Sequence, residues 1–97
     1  MKTILLLRHA KSSWSNPGLA DIDRPLNKRG KRDAPRMGMQ IDAEDLVPDL
    51  ILSSPARRAR QTARAASEYS SYQGEIEVVK DFYPGDPDIF IDTLLTL

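Results

Sequence analysis

Two short stretches carry side chains whose types and spacing could act on an anion: Arg8-His9, and Ser54-Pro55-Ala56-Arg57-Arg58 with Thr62 beyond it. The guanidinium of Arg8 is a permanent cation with a planar fork of N–H donors that matches phosphate oxygens. Beside it, the neutral imidazole of His9 can attack phosphorus if a hydrogen bond holds its other ring nitrogen. In the second stretch, Arg58 falls in the first turn of an expected helix, next to exposed amide groups and the positive end of the helix dipole. Thr62, four residues later, shares that face. Each stretch also has a plain structural account. A lone histidine at a strand end is more often a capping contact than a site, and clustered arginines usually form a solvated face.

The elements that would position these groups alternate between strand and helix. Ile4 to Leu7 form an unbroken apolar run, which suits a strand covered on both faces of a parallel sheet. Such a strand delivers Arg8 and His9 to the carboxyl edge, where open α/β sheets bind ligands. Ala10 to Pro25 reads as a loop of turn-forming residues, with Trp14 as either a binding group or an apolar plug over the core. A helix is expected from Lys28 to about Ile41, capped by Asn27, kinked at Pro35, and carrying an apolar stripe of Ala34, Met37, Met39 and Ile41.

Leu50 to Leu52 makes a second strand of the same kind as the first. Ser54 followed by Pro55 signals a helix start, and that helix should run to about Tyr69 with Ala56, Ala59, Ala63 and Ala66 packed on a sheet. Ile76 to Phe82 reads as a third strand. Asp86-Pro87 opens a last helix whose buried stripe would be Ile89, Phe90, Leu94 and Leu95.

With 97 residues the chain is at most one domain, expected over 1–97. Lys plus Arg and Asp plus Glu number 14 each, so no net field favours nucleic acid or a membrane surface. The absence of cysteine excludes disulfides and thiol catalysis, and a single histidine leaves few ways to build a transition-metal site. The apolar run before Arg8 is too short for a signal peptide or a membrane span, which makes the cytoplasm the expected location.

Taken in order, strand-Arg8-His9-Ala10, Arg24-Pro25-Leu26, Gly30 with Ala34, and Ser54-Pro55-Ala56-Arg57-Arg58-Ala59-Arg60-Gln61-Thr62 form a recognisable series. It resembles the histidine phosphatase superfamily, and within it the small bacterial phosphohistidine phosphatases of the SixA type. The resemblance implies a three-layer α/β/α phosphoglycerate mutase-like fold. It makes His9 the nucleophile that takes the phosphoryl group, Arg8 and Arg58 the phosphate-binding arginines, and Arg24 an arginine near the pocket. Ser15 stands where many relatives have an asparagine that touches phosphate. For protonating the leaving group, Asp81 lies nearest the expected place and Asp86 is the less favoured alternative. No metal or other cofactor is implied, because the arginines supply the positive charge.

The same resemblance exposes an absence. Relatives carry a second pocket histidine on a fourth strand reading roughly apolar-apolar-Val-Gly-His-Asn-Pro, whereas His9 is the only histidine here. That strand would lie between the strands ending at His9 and at Ser54. The expected sheet is therefore incomplete, with the first two strands either pairing directly or leaving an open inner edge, and the chain is expected to be the N-terminal portion of the family domain. The implied activity is transfer of a phosphoryl group to His9 and then to water, with phosphohistidine on a protein as the leading substrate. The rivals are a small-molecule phosphomonoesterase or mutase of the same family, and a non-catalytic phosphate-binding module, which the missing histidine makes credible. The implied partner is accordingly a phosphorylated protein or a small phosphomonoester, with neither nucleic acid nor membrane.

Overall fold

A computed structural model describes Leu7, residues 9–84 and residues 87–95. In chain order these form α1 (Lys28–Ala43), β1 (Ile51–Ser53), α2 (Arg57–Tyr69), β2 (Ile76–Val78) and α3 (Pro87–Leu95), with short 3-10 turns at Asp21–Asp23 and Lys80–Phe82. The expected first strand over Ile4 to Leu6, together with Arg8 and Asp86, lies outside the described residues. Leu7, the described member of that run, is 42% exposed.

α1 starts where Asn27 should cap it, the Asn27 side chain accepting the Gly30 N–H at 2.8 Å. It closes as the Leu46 N–H bonds the Ile41 carbonyl beyond Asp45, whose φ is 56°. Pro35 lies inside the helix without ending it.

The buried face of α1 is Gly30, Ala34 and Gly38. This corrects the expected stripe, since Met37 and Met39 are exposed. Closeness is the reason: a Cβ on Gly38 would come within 2.8 Å of the Ala66 carbonyl oxygen on α2. Two small-residue faces thus meet, with α2 burying Thr62, Ala63 and Ala66. The alanine face of α2, expected against a sheet, packs mainly on α1 while also touching β1 and β2.

β1 and β2 pair in parallel, with Ile51 opposite Ile76 and Ser53 opposite Val78. Among the described residues these two strands make up the sheet. The Tyr72 hydroxyl anchors its start, accepting from the Ile51 N–H at 3.2 Å and donating to the Glu75 carbonyl at 2.7 Å. The third strand does not reach Phe82 as expected. It stops at Val78, and the chain coils into the Lys80–Phe82 turn, which buries Phe82.

Two further expectations are corrected. α2 begins at Arg57 rather than Pro55, because the Ser54 hydroxyl accepts the Ala56 N–H at 3.2 Å and closes a local turn ahead of the helix. On α3, Phe90 contacts Phe82 with ring centroids 4.3 Å apart, but Phe90 itself is partly exposed and Leu95 is 79% exposed, so the stripe is not buried along its length. No helix among the described residues is long and apolar enough to cross a membrane.

Candidate active site

The loop between Ala10 and Pro25 is closed at its base by backbone pairing. Ser12 bridges Leu26 in antiparallel fashion, the Ser13 N–H donates to the Pro25 carbonyl at 2.8 Å, and the Asn27 N–H donates to the Lys11 carbonyl at 2.9 Å. That Lys11 carbonyl passes over Gly30 so closely that any Cβ there would strike it, which is why glycine is needed in the first turn of α1. Inside the loop, the buried Arg24 donates to Ser12 Oγ and the Ser13 carbonyl, each at 3.2 Å, and to Asp21 Oδ1 at 3.1 Å. Trp14 covers the same guanidinium at 3.3 Å from the ring centroid while remaining 74% exposed, so it is a lid on Arg24 rather than a plug in the core.

Three side chains near the start of α2 reach this loop. Thr62 Oγ1 donates to the Arg58 carbonyl at 2.8 Å and accepts the Ala10 N–H at 3.0 Å, fixing the backbone next to His9. Gln61 Oε1 accepts the Leu26 N–H at 2.8 Å. Arg58 grips Asp21 twice, through Nη1 to its carbonyl at 2.7 Å and through Nη2 to Oδ2 at 3.1 Å.

These contacts bring His9 and Arg58 onto the wall of one cleft of about 350 Å³, lined also by Asp21, Ser54, Ala59, Phe82 and Tyr83. His9 Nδ1 lies 2.7 Å from the Ala10 carbonyl. A carbonyl only accepts, so Nδ1 carries a proton, and in the neutral imidazole this leaves the lone pair on Nε2, the arrangement a nucleophilic imidazole requires. Asp21 is the carboxylate of the cleft. The Tyr83 hydroxyl donates to its Oδ2 at 2.6 Å, beside Arg58. The Tyr83 hydrogen bond first, and Arg58 second, hold the Asp21 carboxyl down to a pKa of about 2, and the same bond to Asp21 pushes the Tyr83 hydroxyl above its ordinary value.

Of the residues expected at the site, the structure therefore brings His9 and Arg58 together. Arg24 stands one residue removed, bound to Asp21 and turned into the loop. Ser15 is exposed, its hydroxyl 2.8 Å from that of Ser13, and it does not line the cleft. Asp81 is exposed on the 3-10 turn whose next residues, Phe82 and Tyr83, do line it. Arg8 and Asp86 lie outside the described residues. Sequence reasoning missed Asp21, Gln61 and Tyr83. Only Asp21 carried a local signal, its i,i+3 spacing to Arg24. Among the described residues no group of three or more His, Cys, Asp and Glu is placed to hold a metal ion.

The family model described as histidine phosphatase superfamily (branch 1) matches residues 4–82. The chain belongs to that superfamily. Among solved structures, this member of the superfamily is similar to a protein provisionally described as the phosphohistidine phosphatase SixA of Agrobacterium tumefaciens. The two superpose with a TM-score of 0.85 at 33% identity, over 93% of this chain and 58% of the other. The fold is thus the phosphoglycerate mutase-like α/β fold, of which the chain spans little more than half. An uncharacterized chloroplastic protein of Arabidopsis thaliana is 40% identical over 83 residues, covering 86% of this chain and 37% of its own length. A 2,3-bisphosphoglycerate-dependent phosphoglycerate mutase of Bifidobacterium longum is 35% identical over 65 residues, covering 65% of this chain and 26% of its own. The superfamily holds phosphatases and mutases, whose common chemistry is phosphoryl transfer.

Proposed function

We propose that this chain acts as a phosphohistidine phosphatase, taking a phosphoryl group from a phosphorylated protein onto His9 Nε2 and passing it to water. The observation that carries this reading is the shared cleft. An imidazole with Nδ1 tied to the Ala10 carbonyl lines the same wall as an arginine held in place by Asp21. In the first step the Nε2 lone pair forms a bond to phosphorus while the substrate's P–N bond breaks, its electron pair leaving with the substrate imidazole, which departs neutral because its other ring nitrogen already carries a proton. Water then attacks phosphorus, the His9–P bond breaks, and inorganic phosphate departs with His9 restored. Arg58 lowers the charge on the equatorial oxygens in both steps, and Arg8 is proposed as its companion.

Among the described residues, no carboxyl of the cleft serves readily as the acid. Asp21 is held ionised and Asp81 stands outside the lining. A phosphohistidine substrate lessens that need, since its imidazole is a good leaving group, and the cytoplasm is the proposed setting. The likeness to a mutase supports a second reading, action on a small phosphomonoester. Rates on a phosphohistidine peptide and on a panel of sugar phosphates and phosphoglycerate separate the two. The first reading expects the peptide to be turned over fastest. A faster sugar phosphate replaces it with the second, and phosphate binding with no turnover of any substrate replaces both with a binding module.

A further inference from the structure

We propose that Asp21 is a positioning residue of this site, clamping the Arg58 guanidinium on the cleft wall through its carbonyl and carboxylate while Tyr83 and Arg24 hold that carboxylate. The inference rests on the phosphoryl-transfer reading above. A carboxylate in a cleft meant for phosphate would ordinarily repel the substrate. Here both of its oxygens face cations, Oδ1 toward Arg24 and Oδ2 toward Arg58, each at 3.1 Å. Its charge is thereby offset, and what remains is geometry. Bonds from Nη1 and Nη2 to one residue fix the plane of the guanidinium as well as its position. Those two bonds use two of the five N–H donors of an arginine, and among the described residues the others bond to nothing else, which leaves them to meet an anion.

The clamp also joins three segments distant in sequence. Asp21 belongs to the loop after His9, Arg58 to the first turn of α2, and Tyr83 to the turn that follows β2. A long, flexible side chain is thus ordered before substrate arrives, so that its reorganisation is not added to the barrier.

The test compares the unsubstituted chain with Asp21→Ala, Asp21→Asn and Tyr83→Phe, measuring kcat and KM on a phosphohistidine peptide, inhibition by inorganic phosphate, and melting temperature. Asp21→Ala should lower kcat by about tenfold or more while phosphate inhibition stays equal or tightens, because orientation is lost together with a negative charge. Asp21→Asn keeps an acceptor for Arg58 and should restore part of the rate. Tyr83→Phe should cost about two- to threefold in kcat. Unchanged kcat in Asp21→Ala overturns the proposal, as does a raised kcat with tighter phosphate, which would make Asp21 a competitor for Arg58. If Asp21→Ala does not fold, Tyr83→Phe with an unchanged melting temperature decides, and an unaltered kcat there overturns the proposal. If the unsubstituted chain turns nothing over, it is the phosphatase reading that fails. The clamp is then tested by the shift that inorganic phosphate induces in the Arg58 Nε–H resonance. A smaller shift in Tyr83→Phe supports the clamp, and an unchanged one overturns it.

Discussion

Where the loop of residues 10–25 meets α2, directional side-chain bonds do the holding: Thr62 to Ala10, Gln61 to Leu26, Arg58 to Asp21. Where β2 leads toward α3, the Phe82 and Phe90 rings pack on each other, with Val78, Ile91 and Leu95 each more than half exposed at 51%, 54% and 79%. The first region fixes the orientation of named groups around His9. The second supplies a wall in which Phe82 is held by ring contact, which constrains orientation less, while Tyr83 is tied back to the first region by its 2.6 Å bond to Asp21. Hydrogen-bond networks specify one arrangement because each donor has its own acceptor, whereas apolar contacts tolerate repacking. The chemistry sits on the specified side.

Substitutions can break or sharpen that contrast. The largest effect is expected from Arg58→Ala, which removes the proposed anion ligand and both bonds to Asp21, and should lower turnover by roughly 10²- to 10³-fold. Near-normal turnover would take Arg58 out of the site. Next comes Gly38→Leu, which drives a side chain into the Ala66 backbone and should cost about 2 kcal/mol or more in a denaturant titration. An unaltered midpoint would show that α1 and α2 do not approach so closely.

Thr62→Val keeps the shape but leaves the Ala10 N–H without its acceptor, an expected loss of about 1–2 kcal/mol. On the other side, Phe90→Ala removes a partly exposed ring and should cost about 1 kcal/mol while leaving the rate within twofold of the parent. A larger fall in rate after Phe90→Ala than after Thr62→Val would reverse the assignment of the two regions.

The smallest effect is that of pH. Asp21 has a folded pKa of about 2 against 3.8, so its contribution to stability is present above 3.8 and is lost as pH falls toward 2. Tyr83 is shifted upward from 10.0, so its contribution is intact below 10.0 and is lost only as pH rises through the elevated value. The difference in tyrosinate absorbance between the chain and Tyr83→Phe should therefore appear above pH 10.0. A difference that titrates at or below 10.0 would show that the bond to Asp21 is not held in solution.

What the sequence made legible was local. Asn27 caps α1 because its partner, Gly30, lies three residues on, and the ends of α1 and α2 follow the same short-range chemistry. His9 and Arg58 could be placed in one cleft because each follows the carboxyl end of an apolar run in an α/β pattern. The start of α2 was misread only because the Ser54 hydroxyl spends itself on Ala56. Illegible were the features decided at long range. The Asp21 bonds to Arg58 and Tyr83 span 37 and 62 residues and follow no periodicity. The close α1–α2 packing likewise selects Gly30, Ala34 and Gly38, which a search for bulky apolar residues passes over in favour of the exposed Met37 and Met39.

The central claim is that His9 Nε2 accepts the phosphoryl group. Its most direct test is to incubate the purified chain with a labelled phosphodonor, quench rapidly, and assay for acid-labile, base-stable phosphate, with His9→Ala as control. Label on His9 that is absent from the control is the predicted result. A folded chain that binds phosphate yet carries no label, or label that persists in His9→Ala, would contradict it.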